Sequence, residues 1–287
     1  MALNALLNMN ADRALPILRE VLESRDECSV ELRRQAVFLV SQHMTSETVD
    51  LLLELAHRNP DPDREVREQA VFWLSQVDSP EAIDALESIL RTSDDIEIQE
   101  KAIFALSQHS GSRSTEILKE YAERRDAPEE LRENAIFWLG QSPGGGEYLR
   151  ELYASADSET LKEKIIFGVA QSGDRADGDW LLERALDEAE SIEVRKNALF
   201  WAGQTGMDVR RLAELYSSVS DREMKEQIIF VLSQSSDERA AVDQLMEIVR
   251  EEGDTELRKN AIFWLGQTDD PRIPEFLLSL IRGGGAR

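Results

Sequence analysis

The sequence predicts an all-α fold: an α-solenoid of about eight to nine two-helix repeats in a curved superhelix. Three observations predict it. A phenylalanine followed four residues later by a glutamine occurs eight times, at Phe38, Phe72, Phe104, Phe137, Phe167, Phe200, Phe230 and Phe263, with spacings of 34, 32, 33, 30, 33, 30 and 33. A period near 32 belongs to solenoids or arrays and not to one globular core. Each period holds two stretches whose apolar residues recur every three or four positions, the mark of amphipathic helices. No segment sustains a period of two, so no sheet is expected.

The first stretch of each repeat, helix A, is seen in RALPILREVLES, ETVDLLLELAHR, EAIDALESILRT and AAVDQLMEIVRE. The second, helix B, starts nine residues before the phenylalanine, at Ser29, Asp63, Asp95, Pro128, Ser158, Ser191, Asp221 and Asp254. Seven of these are good N-caps and the eighth is a proline suited to a first helical turn. A Glu usually follows two residues later, favouring the positive helix end. Loops such as NPDPD, SPGGG and SGDRADGD supply the breaks. A longer period is superimposed: Phe137, Phe200 and Phe263 lie 63 apart and share N-A-[IL]-F-W, while Phe167 and Phe230 lie 63 apart and share K-E-[KQ]-I-I-F. The duplicated unit is therefore a pair of repeats. ALNALLNMN reads as the tail of a further helix B, and after Phe263 one more helix A, PEFLLSLIR, precedes GGGAR. The expectation is one continuous array over 1–287, taken from a longer protein.

With 287 residues, 41% hydrophobic and 31% charged, the chain is ample to bury a core. No apolar run approaches the ~18–20 residues of a membrane span, and MALNALLNMN lacks the basic start and long apolar centre of a signal peptide. The single cysteine, Cys28, excludes an intramolecular disulfide framework and reads as a loop or helix-end thiol. The net charge of −24 opposes binding to nucleic acid or to an anionic membrane. It suits a basic partner, and it equally suits solubility alone.

The helix B pattern [VIL]-R-x-x-A-[VIL]-F-x-L-[SG]-Q, as in VREQAVFWLSQ at 66–76, resembles the HEAT repeat. It is most similar to the bacterial HEAT-like type first named from phycobilisome lyases. The resemblance covers nearly the whole chain. It implies B helices on the concave side, and an Arg (here Arg33, Arg67, Arg132, Arg195 and Arg258) paired with an acid of a neighbouring repeat. Gln99, Lys162 and Lys225 depart from that pattern, so weaker junctions are expected there. The family includes scaffolds, bilin lyases and a di-iron hydroxylase, so the resemblance implies a fold more than a chemistry.

With the phenylalanine at zero on a helical wheel of ~100° per residue, the apolar positions six before, two before and two after it fall near 120°, 160° and 200°. In the second repeat these are Val66, Ala70 and Leu74. The core thus faces about 180° and the phenylalanine points away from it. The glutamine falls at about 40°, the polar residue three before (Asn134, Asn197, Asn260, Gln35, Gln69, Gln227, Lys101 or Lys164) at about 60°, and the Glu seven before at about 20°. The candidate partner-binding residues are Phe72, Phe104, Phe137, Phe167, Phe200 and Phe230, with Gln76, Gln108, Gln141, Gln171, Gln204 and Gln234. At helix spacings of ~8–10 Å, eight rungs would span roughly 60–70 Å. Amides that donate and accept could hold a peptide backbone while the rings take its side chains. The alternative is packing, with each Phe wedged between neighbouring helices and each Gln bonded to the next repeat.

The residue after the phenylalanine falls at about 100°, the edge of the core. Its series, Leu39, Trp73, Ala105, Trp138, Gly168, Trp201, Val231 and Trp264, alternates small and large, as interdigitated packing requires. The tryptophans are therefore expected to be structural, and Trp180 on a helix A to be core. His43, His57 and His109 belong to no HExxH and precede no Glu, so the His-Glu pairs of the di-iron hydroxylase are missing. PGGGE at 143–147 and the terminal GGG lack the GK[ST] of a phosphate loop. No acid–base pair stands out. The reading is a non-enzymatic, monomeric scaffold that binds a protein or peptide and uses no cofactor or metal. A HEAT-like bilin lyase or chaperone, and a purely structural spacer, are the alternatives.

Overall fold

A computed structural model of the chain describes residues 11–24, 29–42, 45–58, 60–109, 111–173 and 175–284. Cys28, His43 and the two chain ends (1–10 and 285–287) lie outside the described residues. Within them there are seventeen α-helices and no strand. Odd-numbered helices are the A helices: α1 (Ala11–Glu23), α3 (Ser46–Leu53), α5 (Pro80–Thr92), α7 (Ser112–Glu123), α9 (Gly145–Tyr153), α11 (Arg175–Leu186), α13 (Val209–Ser218), α15 (Glu238–Glu251) and α17 (Ile273–Gly284). Even-numbered helices are the B helices: α2 (Val30–Ser41), α4 (Arg64–Leu74), α6 (Ile96–Ser107), α8 (Glu129–Gly140), α10 (Glu159–Ser172), α12 (Ile192–Gln204), α14 (Arg222–Ser233) and α16 (Thr255–Leu265).

Contacts group these helices into two units, which divide between Ser142 and Pro143. The first holds α1 to α8 and the second α9 to α17. In the loop between them Gly144 adopts φ 75°, a conformation that suits glycine. Within each unit every B helix packs on the A helix before it and on the adjacent B helices. Two layers result, and the core lies between them. In α4 the core face is Val66, Ala70, Val71 and Leu74, all 0% exposed. Opposing it in α5 are Ala82, Leu86 and Ile89, also fully buried. Each such leucine or isoleucine contributes about 1.5–3 kcal/mol by leaving water. The α-solenoid architecture is as the repeat period predicts.

Five of the seven predicted polar caps make the capping bond. Asp63, Ser158, Ser191, Asp221 and Asp254 each accept a backbone N–H from the first turn. Ser29 and Asp95 occupy the N-cap position without that bond, and each meets an arginine. Ser29 Oγ accepts from Arg33 Nη1 at 2.6 Å, and Asp95 takes Arg67 at 2.9 Å. Pro128 stands one position earlier than a first-turn proline, as the N-cap of α8.

The basic row joins repeats at Arg33 and Arg67 as the resemblance implied. Arg33 pairs with Asp61 at 2.7 Å, with side chains only 1% and 0% exposed. Asp61 is presented by a π-helical turn, Glu54–Arg58, that continues α3, where its backbone N–H donates to the Leu55 carbonyl. Arg67 likewise reaches Asp95 of the next repeat. Arg132 donates to the Ala122 carbonyl, near the end of the A helix of its own repeat, and Arg195 donates to the corresponding carbonyl of Ala185. Arg258 donates to Thr255 Oγ1 on its own helix. The expected weak junctions at the lysines are corrected. Lys162 meets Glu190 at 2.7 Å and Lys225 meets Glu252 at 3.1 Å, so both lysines make the inter-repeat pair expected of arginine. Gln99 does not, donating to the Leu90 carbonyl of its own repeat at 2.8 Å.

Candidate protein-interaction face

On each B helix the phenylalanine stands on the side away from the A layer. Phe38 and Phe72 are each 44% exposed and Phe263 is 57% exposed. Phe104, Phe137, Phe167, Phe200 and Phe230 are half-buried. Tryptophans pack against every one of these rings. Trp73 packs against both Phe38 and Phe72, at ring-centroid distances of 5.6 and 5.2 Å. Trp138 lies in the same way between Phe104 and Phe137, at 5.3 and 5.0 Å. In the second unit Trp201 joins Phe167 to Phe200, Trp264 joins Phe230 to Phe263, and Phe200 stacks on Phe230 at 6.0 Å. Offset and edge-on pairs at these distances are the favoured aromatic geometries. A tryptophan occurs in every second repeat, so the rings form triads that recur once per pair of repeats.

The tryptophans keep the packing role expected of them, and they also help form this face. All four are half-buried. The small partners in their series, Leu39, Ala105, Gly168 and Val231, are buried. Trp180 lies apart, on α11, edge-on to Tyr153 at 5.2 Å, and is half-buried instead of core.

The glutamines Gln76, Gln108, Gln141, Gln171, Gln204 and Gln234 are all exposed. None of them forms the bond to the next repeat that the packing alternative required. Where a serine precedes, the amide turns back on its own helix end. Gln76, Gln108 and Gln234 donate to Ser75, Ser107 and Ser233 at 2.9, 3.0 and 3.1 Å, and each serine donates to the carbonyl of its phenylalanine. Where glycine or alanine precedes, at Gln141, Gln171 and Gln204, there is no hydroxyl to receive the amide.

Two cavities lie on this face, both in the first unit. One, of about 510 Å³, is lined by Phe38, Phe72 and Trp73 with Glu31, Arg34 and Glu65. The other, of about 540 Å³, is lined by Phe72, Phe104 and Trp138 with Glu65, Glu68, Glu100, Lys101 and Asn134. Glu68 and Glu100 stand four residues before the phenylalanine and were missed from the sequence. On the wheel that position falls at about −40°, flanking the ring on the side opposite the glutamine.

A second cluster, off this face, recurs at the 63-residue period. Lys162 lies over the Tyr153 ring and Lys225 over the Tyr216 ring, at 5.5 and 4.8 Å. Tyr216 donates to Glu252 at 2.7 Å. The Asp254 backbone N–H, then the Tyr216 hydroxyl and Lys225, hold the Glu252 carboxyl down at about 2. Burial first, and the neighbouring glutamate second, push both phenols up. These groups clasp adjacent repeats. Among the described residues no group of three His, Cys, Asp or Glu side chains could hold a metal, and no helix is long and apolar enough to cross a membrane.

The family model for HEAT repeats matches residues 25–107 and 49–140. Residues 25–140 carry HEAT repeats. No curated protein matches the chain. Solved structures similar to the chain include human deoxyhypusine hydroxylase in complex with glycerol, at 20% identity and a TM-score of 0.39, covering 84% of this chain and 90% of that one. YibA of Escherichia coli matches at 17% identity and a TM-score of 0.44, covering 93% and 96%. The complex of CpcE and CpcF of phycocyanin lyase from Nostoc matches at 13% identity and a TM-score of 0.38, covering 76% and 94%. Likeness of this degree carries no function to the array.

Proposed function

We propose that this chain is a non-enzymatic scaffold whose B-helix face binds an extended segment of another protein. The observation that carries the reading is the row of half-exposed aromatic rings on the side of the B helices away from the A layer. Exposed apolar rows of this kind mark interaction surfaces. Exposed amides stand beside the rings at one per repeat. Those after glycine or alanine are free to meet the N–H and C=O groups of an extended chain. In this reading the rings take side chains and the amides take backbone.

The test is selection of peptides from a displayed random library on the full chain, followed by affinity measurement on a Phe72→Ala/Phe104→Ala double variant. Circular dichroism of the variant must first show the helical content retained. Selected peptides that bind the parent and lose affinity at least about tenfold on the variant support the reading, because aromatic anchors dominate such surfaces. Peptides that bind both equally refute it. A bilin whose absorption band shifts with the parent and not with the variant, when no peptide is retained, would put the tetrapyrrole reading in its place.

A further inference from the structure

Five of the eight B helices carry a glutamate four residues before the phenylalanine: Glu68, Glu100, Glu133, Glu163 and Glu226. At the same position α2 carries Arg34, α12 carries Lys196 and α16 carries Lys259. Arg34 reaches Glu65 of the next B helix at 2.8 Å. Lys196 lies 3.2 Å from Glu193 on its own helix and 3.6 Å from Glu223 on the next. Arg34 and Lys196 thus link consecutive rungs through the glutamate seven before the phenylalanine. On α4 and α6 the position four before the phenylalanine holds Glu68 and Glu100, while Arg64 of α4 reaches Glu97 of α6 at 2.7 Å.

These two carboxylates, with Glu65, border the cavity of about 540 Å³ walled by Phe72, Phe104 and Trp138. Lys101 is the one cation of its lining and approaches Glu68 no closer than 4.0 Å. Glu100 receives a neutral donor, the Asn134 amide, at 3.0 Å. An aromatic wall attracts a cation through the negative faces of its rings, and adjacent carboxylates add charge-assisted hydrogen bonds. We infer that this cavity takes a lysine or arginine side chain of the bound segment, held over the Phe72, Phe104 and Trp138 rings between Glu68 and Glu100. The partner is therefore a basic peptide segment. This inference rests on the peptide-binding reading above and adds the chemical class of the ligand. The overall charge of −24 would speed the encounter with such a partner.

The experiment is calorimetric titration of the full chain with an octapeptide alternating arginine and alanine, at about 0.15 M salt to screen long-range attraction. An octapeptide alternating glutamine and alanine is the neutral comparator. Three variants are used. Glu68→Gln/Glu100→Gln removes the charges and keeps the rings, and Phe72→Ala/Phe104→Ala does the reverse. Glu81→Gln/Glu116→Gln makes the same charge change at exposed sites on A helices. The expected result is that the first two weaken the arginine peptide at least about tenfold while the third changes it less than about twofold. Equal losses in the two charge variants would mean general attraction to an acidic protein and overturn the inference. So would failure of the arginine peptide to bind the parent chain. A neutral peptide bound as tightly, lost in the phenylalanine variant and kept in Glu68→Gln/Glu100→Gln, would leave the peptide face standing and remove the cationic ligand.

Discussion

Replacing Phe72 by alanine separates a face residue from a core residue by magnitude. The Phe72 residue is 44% exposed and its ring meets Trp73 edge-on at 5.2 Å. A fully buried Phe→Ala change costs about 3–5 kcal/mol. Here a little over half of the residue is covered, and the vacated space opens to solvent instead of closing into a void. The cost should fall to roughly 1–2 kcal/mol, of which the lost aromatic pair accounts for ~0.5–1.5 kcal/mol. Leu74→Ala is the internal reference, because Leu74 is 0% exposed on the same helix and should cost ~2–5 kcal/mol. The assay is the urea midpoint and slope of each variant. Helical dichroism and tryptophan emission should be followed together, since repeat arrays can unfold in parts. A loss for Phe72→Ala equal to that for Leu74→Ala would make the ring core and remove the argument for a binding face. A loss within ~0.5 kcal/mol would show that the Phe72–Trp73 pairing contributes nothing.

Three further outcomes are expected. Asp61→Asn should cost ~3–5 kcal/mol in urea unfolding because it removes the carboxylate charge facing the buried Arg33, whereas Arg33→Met/Asp61→Leu should recover most of that loss. Gly203→Ala should cost ~1–3 kcal/mol, since the added methyl would run into Val231 on α14, and Val231→Ala in the same chain should restore part of it. Glu252 has a folded pKa of about 2 against an ordinary 4.5, so its stabilising contribution is complete above 4.5 and is lost as pH falls toward 2. Glu252→Gln should flatten the melting temperature against pH across that window, and an unchanged slope would contradict the Tyr216–Glu252–Lys225 clasp.

The fold was legible because each repeat writes its period three times: in the phenylalanine, in the cap nine residues earlier and in the apolar spacing between them. The partners of the basic row were legible only in part. Asp221 sits one repeat beyond Arg195 as Asp95 sits beyond Arg67, yet Asp221 spends its carboxylate on the Glu223 and Met224 N–H groups while Asp95 caps nothing. Nothing in the two local sequences separates a capping aspartate from a bridging one. The candidate face was half legible. Rings pointing away from the core followed from 100° per residue. The glutamines' return to the preceding serine depends on side-chain rotation at a helix end, which periodicity does not encode. Glu68 and Glu100 were missed for a plainer reason: only one flank of the phenylalanine was followed round the wheel.

The central claim, that the ligand sits on the aromatic row of the B helices, has a built-in reporter. Four of the five tryptophans, Trp73, Trp138, Trp201 and Trp264, pack against the phenylalanines of that row, and only Trp180 lies elsewhere. In a Trp180→Phe chain every emitting indole is therefore on the face. Titration of that chain with the arginine–alanine octapeptide should shift or quench tryptophan emission along the same saturation curve that calorimetry gives. Calorimetric binding with emission unchanged to saturation would place the ligand off the row and contradict the account.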